Sequence, residues 1–433
     1  MSEGEPKKRY QPTPEQLALA EERRLTKAAH KAAQKEKEKH EVEERSRIFS
    51  RDWLSIDLPV PGNVAVKVMT WNLLAQCLVR RELFPTSTCL KASEREHMMY
   101  REILSHQAHI CCLQELLEKA GYSHVYAVGP RKKHGCLIAF KKDMFNLLSQ
   151  KLIAYDDQEV RRSSGAVNIH GSSFRTKNIG NLVALCRTDK PLDGLLVATT
   201  HLFWHPSQAA ILLREVVKFR EELGKEDWPC IIAGDFNFAP DDPAYSLLVG
   251  NDILPEQSKR LASSRVVHVS IDPNVPVTTS KMIGDDEEGG ETDPDRTITN
   301  ARAAVEADGL LTDDELADLF KSSGTVLSTY DRGLRSCENI QNFTCGTRLG
   351  ISASRLGGYE PVWTSYTHYW KTVLDYIFVL EPGERPITVH GLAKPIQTIH
   401  LEPGLPQKGI CGSDHISLCA ELSWKEETLD TTS

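Results

Sequence analysis

The chain has 433 residues, 40% of them hydrophobic and 26% charged, an ordinary globular composition with enough apolar content for one large core or two smaller ones. No run reaches the roughly eighteen uninterrupted apolar residues of a membrane helix, and the first fifty residues are charged where a signal peptide would be apolar; the expectation is an intracellular protein, cytoplasmic or nuclear, with no membrane partner. The net charge of −8 comes almost wholly from seven acids in one Gly-rich stretch, Asp285, Asp286, Glu287, Glu288, Glu291, Asp293 and Asp295. Setting them aside leaves −1, so charge neither favours nor excludes a nucleic-acid substrate.

Residues 1–52 alternate Lys, Arg, Glu and Ala with few large apolar side chains, which predicts an exposed helix or a disordered tail. Lys7-Lys-Arg9 reads either as part of a nuclear address or as a solvated charge run, and the tail's acids argue against a mitochondrial presequence. A single domain is expected over 53–425, with a disordered end at 426–433. Short apolar, β-branched runs predict buried strands at 64–69, 110–113, 136–140, 182–186, 195–198, 231–233, 377–380 and 416–422. Between some of them lie amphipathic stretches with apolar spacing near 3.6, at 94–106, 209–223 and 312–321. Many strands with few interposed helices favour an α/β protein of packed sheets with helices outside. The acidic segment, taken as 274–308, is expected to be a flexible surface insertion. The eleven cysteines include no Cys-x-x-Cys, which argues against zinc and a disulfide framework.

Polar residues at the ends of these strands form the informative pattern. Asn72 ends the first, Glu115 comes just after the second, His201 ends another, and Asp235-Phe-Asn237 closes the run at 231–233. Asp375 opens a strand, and Ser413-Asp-His415 precedes the last one. In extended backbone residues i and i+2 share a face, so Asp235 and Asn237 are expected to present oxygen ligands together while Phe236 packs the other way. Hard oxygen donors suit magnesium or manganese, not zinc. Each residue also has an ordinary reading: Asn72 as a turn residue, Glu115 as a surface acid, His201 as a core histidine, Asp235 as the start of an Asx turn. Their coincidence at six strand ends is what points to a site.

As an ordered set, Thr70-Trp-Asn-Leu73, Leu113-Gln-Glu115, Thr200-His-Leu202, Ala233-Gly-Asp-Phe-Asn237, Leu374-Asp-Tyr-Ile377 and Ser413-Asp-His415 resemble the endonuclease/exonuclease/phosphatase superfamily over about residues 64–423. Trp71-Asn-Leu-Leu-Ala-Gln76, His134-Gly-Cys-Leu-Ile138, His201-Leu-Phe-Trp-His-Pro206 and Ser264-Arg-Val-Val-His268 are similar to its deadenylase-related branch, with nocturnin, the Angel proteins and above all fungal RNA exonucleases. The resemblance implies a two-sheet α/β sandwich with its site at one rim.

It further implies that Glu115 binds one magnesium and that Asp235, Asn237 and Asp414 hold a second ion or the phosphate. Asn72 would orient them, and His415 would sit on the scissile phosphate with Asp375 on its other ring nitrogen. His201 would contact the phosphate or leaving group. Trp204, Tyr366, Tyr369 and Trp370 are candidates for base stacking or for core, and Arg131 and Lys133 for a phosphate backbone or for plain surface. Two departures stand out: Ser365 where relatives commonly show asparagine, and a short passage from Pro206 into the helix after the histidine strand. The function implied is a magnesium-dependent 3′-to-5′ exoribonuclease acting on single-stranded RNA ends, in ribosomal RNA maturation or poly(A) removal. Its alternatives are a phosphatase of a small nucleotide or terminal RNA phosphate, and a non-catalytic RNA-binding scaffold.

Overall fold

Aliphatic runs flanked by turn residues pair into two sheets, described by a computed structural model for residues 13–58, 63–113, 121–161, 175–277, 300–383 and 385–425. The strands are β1 (Trp53–Ser55), β2 (Asn63–Thr70), β3 (Ile110–Leu113), β4 (Tyr122–Val128), β5 (Gly135–Lys141), β6 (Phe145–Ala154), β7 (Ile179–Arg187), β8 (Gly194–His201) and β9 (Cys230–Asp235). A small ribbon of β10 (Val266–His268) and β11 (Ala301–Ala303) comes next, then β12 (Leu327–Ser328) and a second ribbon of β13 (Ser365–Tyr366) and β14 (Lys371–Thr372). The last three are β15 (Asp375–Leu380), β16 (Thr388–Ala393) and β17 (Leu418–Lys425). Helices are α1 (Pro14–Arg45), α2 (Ala92–His106), α3 (Pro206–Glu222), α4 (Pro243–Val249), α5 (Pro255–Ser263), α6 (Asp313–Lys321) and α7 (Thr329–Arg335). None is long and apolar enough to cross a membrane.

Seven strands form one sheet in the order β1-β16-β17-β2-β3-β5-β4, and six form the other in the order β12-β15-β9-β8-β7-β6. Their inner faces meet through Val66, Val68, Ile110, Val183, Val197, Ile231 and Ile377. Alternation along a strand then sends the next residue outward: Leu182 and Ala184 of β7 and Leu196 and Ala198 of β8 pack instead under α3, with Leu212, Val216 and Phe219. Because both faces are covered, these strands read as unbroken apolar runs. On the far face of the seven-stranded sheet, Met69, Cys111 and Leu137 pack against Met99 and Ile103 of α2. The sandwich of two sheets between helical layers is the architecture expected.

Differences from expectation fall at the edges. Strand β6 is an edge that buries Phe145 and Ile153 near its ends but exposes Leu147, Leu148 and Leu152 between them, so its apolar residues form no continuous buried run. Strands β4 and β16 are half-polar and give no continuous run. The last strand begins at Leu418, not Ile416. The segment taken as a flexible insertion is structured at both ends: β10 pairs with β11, and Arg302 binds Asp272 at 3.2 Å and Asp308 at 2.7 Å. Its acidic middle, 278–299, lies outside the described residues. The tail is helical over Pro14–Arg45 with no buried residue, and the sandwich already engages the chain before residue 53, since Phe49 N donates to Ile410 O at 3.0 Å.

Candidate active site

Register builds the site. Strand β9 lies between β15 and β8 with Asp235 directly opposite both Asp375 and His201, so the three functional residues stand in one row across the six-stranded sheet. The other sheet contributes from the same end: β2 runs to Thr70 and delivers Trp71-Asn72, and the segment before β17 brings Asp414-His415. An isolated bridge pairs His415 with Ser365 and fixes that segment against β13.

Side chains converge on His415. Its Nδ1 lies 2.7 Å from Asp375 Oδ2, so Asp375 accepts the Nδ1 proton and leaves Nε2 facing the cleft. That Nε2 is 3.7 Å from Asp235 Oδ2 and 4.0 Å from Asp414 Oδ2. Asn72 Nδ2 donates to Asp235 Oδ2 at 2.8 Å, and its Oδ1 accepts from Leu74 N at 3.0 Å. Ser413 Oγ donates to Asn72 O at 2.7 Å, tying the two segments together. Burial alone would lower the His415 pKa, but the carboxylates of Asp375, Asp414 and Asp235 outweigh it and raise the group above its ordinary range. Burial pushes Asp375 up, and the facing His415 pulls it back. The pair is a buried imidazolium held by a carboxylate.

Asp235, Asp375 and His415 offer ligand atoms that all lie within 4.8 Å of one another. Asp375 Oδ1 is buried and without a hydrogen-bond partner among the described residues. Three buried carboxylates, Asp235, Asp375 and Asp414, face one imidazolium, an excess of negative charge that a cation offsets. Oxygen donors in such a cluster fit a hard divalent ion. Glu115, the predicted ligand from the adjoining segment, lies outside the described residues.

Asn237 departs from the expected geometry. The strand ends at Asp235, and Asn237 takes φ +54°, so the two side chains are not partners on one extended face. Its backbone N instead donates to Asp235 Oδ1 at 3.0 Å, and its Nδ2 donates to Leu202 O at 2.8 Å and lies 3.2 Å from His201 Nε2. Asn237 thus sets His201, while Phe236 packs into the core as expected. His201 Nε2 is 3.9 Å from Asp235 Oδ2.

Of the proposed substrate contacts, Tyr366 is a correction. Its ring is fully buried and packs edge-on against Trp363 at 5.2 Å, with the hydroxyl donating to Glu402, so it offers no face to a base. Trp204 is half-buried beside Phe203 and His205, whose ring centroids lie 5.3 and 5.8 Å away. Trp370 is half-buried and donates from Nε1 to Ser365 Oγ at 3.1 Å; Tyr369 is exposed. Ser365 is itself buried and serves as this acceptor. Arg131 and Lys133 are exposed in the β4–β5 turn. Helix α3 starts at Pro206 itself, capped by His205, whose Nδ1 accepts from Ser207 N at 3.3 Å. Burial, helped by the charge of Arg265, lowers the His205 pKa to about 4 and keeps that nitrogen an acceptor.

Two residues at the site carry no role in the sequence reading. His134 enters there only through family resemblance, yet its ring, in the turn just before β5, stands 6.2 Å from that of His201 at the end of β8. Arg95 is buried beneath the site, donating from Nη1 to Leu73 O and Gly412 O at 3.0 Å each and from Nη2 to Leu74 O at 2.7 Å. It clamps the Asn72 segment to the loop before Asp414. A signal exists in the sequence, an arginine on the same helix face as Met98 and Met99, but charge alone reads as surface.

The chain matches the Endonuclease/Exonuclease/phosphatase family over residues 69–415, which spans every described site residue. It belongs to that family. Relatives of this endonuclease/exonuclease/phosphatase domain include a protein of Schizosaccharomyces pombe named as a probable RNA exonuclease, 27% identical over 95% of this chain and 88% of its own length. The RNA exonuclease NGL2 of Saccharomyces cerevisiae is 26% identical over 84% of this chain and 79% of its own. Among solved structures, ANGEL2, described as a 2′,3′-cyclic phosphatase in complex with adenosine-2′,3′-vanadate, superposes with a TM-score of 0.55 at 21% identity, covering 88% of this chain and 100% of that one. At that identity the likeness is one of fold.

Proposed function

We infer that the protein is a divalent-metal-dependent phosphodiesterase that removes nucleotides from the 3′ end of single-stranded RNA. The observation that carries the reading is the convergence of Asp235, Asp375 and His415 within 4.8 Å, in a chain whose near full-length relatives are named RNA exonucleases. Magnesium or manganese fits the oxygen donors, with Asp235 and Asp414 as ligands, Asn237 beside them and Glu115 joining from the neighbouring segment. When bound, the ion neutralises phosphate charge and lowers the pKa of water.

The remaining chemistry belongs to the side chains. Asp375 holds the Nδ1 proton and sustains the positive charge of His415, so Nε2–H donates to a phosphate oxygen as negative charge develops there. Asn72 fixes the Asp235 carboxylate, and Asn237 fixes the His201 ring, which then faces the phosphate or the departing 3′-oxygen. Trp204 and Trp370 are the proposed stacking surfaces for terminal bases, and Arg131 and Lys133 the proposed contacts to the upstream backbone.

Product identity tests the reading. Protein stripped by chelator and then given magnesium should release nucleoside 5′-monophosphates from an unstructured RNA, and Asp235→Asn should release none. Inorganic phosphate set free without shortening of the chain would transfer the site to a phosphatase. RNA binding with neither product would leave a scaffold.

A further inference from the structure

Helix α1 has 32 residues, about 48 Å at 1.5 Å per residue, and buries none of them. A helix of that length usually carries an apolar stripe toward a core or a lattice of opposite charges at i,i+4. Here the opposite-charge lattice is confined to the C-terminal third, where Lys39 pairs with Glu43. From Arg23 to Lys35 there is no acid at all, while Arg23, Lys27, Lys31 and Lys35 succeed one another at i,i+4 with Arg24 beside them. Four cations in one row make three successive like-charge neighbours, each destabilising the helix by about 0.2–0.5 kcal/mol. None of the five has an ion-pair partner among the described residues.

The helix is rooted beside the active site. Past its C-terminus, Phe49 N donates to Ile410 O at 3.0 Å and Arg51 Nη1 donates to Ser417 O at 2.8 Å, so the root grips both sides of the segment that carries Asp414 and His415. A row of cations without ion-pair partners among the described residues, on an exposed arm whose acids are confined to either side of the row, is anchored next to a phosphodiester-cleaving site and is complementary to a polyanion that extends out of that site. We propose that the Arg23–Lys27–Lys31–Lys35 face of α1 binds the upstream phosphate backbone of a long RNA substrate and tethers it while the 3′ end is trimmed. The inference rests on the exonuclease reading for its ligand, but it concerns a surface remote from the chemistry. It gives the protein a length preference: short RNA fills the site alone, long RNA also reaches the arm.

The experiment uses the full chain and a variant carrying Arg23→Gln, Lys27→Gln, Lys31→Gln and Lys35→Gln, substitutions that keep helix propensity. Binding is measured by fluorescence anisotropy, without turnover, on a four-nucleotide and a thirty-nucleotide single-stranded RNA over a range of salt. The expected result is at least a tenfold loss of affinity for the long RNA at low salt, with unchanged affinity for the short one. The slope of log affinity against log salt should become shallower by up to about 2.8, from about 0.7 per single-strand phosphate contact over four contacts. Equal affinities and slopes for the two proteins would overturn the proposal and hand the stripe to a different acidic partner. Equal losses on short and long RNA would overturn it too, by showing that the substitutions act on the cleft. Length-dependent binding through the stripe in a protein that shortens no RNA would uphold the tether and sink the exonuclease reading instead.

Discussion

At His415 the two ring nitrogens face different company: Nδ1 meets Asp375 at 2.7 Å, while Nε2 looks into a cleft lined by Asp235 and Asp414. Removing the imidazole deletes a preorganised donor, so His415→Ala is expected to lower kcat by about two to three powers of ten, with far less change in RNA affinity. Steady-state kinetics beside a binding titration checks it, and equal losses in both would mark His415 as a binding residue. A second titratable side chain, outside the cleft, governs stability. Glu360 is fully buried, accepts from Tyr245 Oη at 2.8 Å, and has its other oxygen without a hydrogen-bond partner among the described residues. Burial, reinforced by the charge of Asp331, pushes its pKa up to about 8 from an ordinary 4.5. The folded state therefore keeps the proton while the unfolded chain loses it, and stability falls as pH rises between about 4.5 and 8. Glu360→Gln should be nearly neutral at pH 5 and stabilising by a few kcal/mol at pH 8, read from thermal or urea melts. A gap between the two proteins that does not widen with pH would remove this assignment.

Elements are joined to the site by two buried arginines. Arg51 Nη2 approaches Glu102 Oε1 at 2.5 Å, linking the segment after α1 to α2, while its Nη1 reaches Ser417 before β17. Burial alone would raise Glu102, but Arg51, His106 and Ser417 outweigh it and lower its pKa to about 2. That contribution is complete above the unfolded value near 4.5 and disappears as pH falls toward 2. Glu102→Gln should accordingly be destabilised at pH 7, with the gap to wild type closing as pH falls through about 2; denaturant melts at pH 7 and below pH 2 decide. Arg95 is the second link, and Arg95→Met leaves the carbonyls of Leu73, Leu74 and Gly412 without their donor, each at about 1–3 kcal/mol. A lowered Tm accompanied by loss of turnover is expected, and full turnover in a destabilised protein would show that the clamp does not position Asn72. Such joins also explain what is legible in the sequence. Strands covered on both faces, such as 182–186 and 195–198, announce themselves by unbroken apolar runs, and the polar residues at their ends mark the rim. Edge strand β6, with leucines in solvent, has no such contrast. Register is invisible as well: nothing local says that Asp235 sits opposite both Asp375 and His201, or that Asn237 turns to positive φ. Tyr366 misleads because a buried aromatic and a stacking aromatic have the same composition signature, and Arg95 escapes notice because burial of a guanidinium depends on carbonyls far away in sequence.

At the scale of the molecule, two sheets bring their ends to a common rim, and the divalent-ion fit and the proposed RNA chemistry both rest on that arrangement. The most direct measurement is a time course with magnesium on single-stranded RNA labelled at its 5′ end in one reaction and its 3′ end in another, with His415→Ala alongside. The 5′ label is expected in a descending ladder while the 3′ label appears at once in mononucleotide, and neither change is expected with the variant or with chelator. A 3′ label found in oligonucleotides of intermediate length, intact RNA, or full activity in His415→Ala would contradict a 3′-trimming enzyme built on this rim.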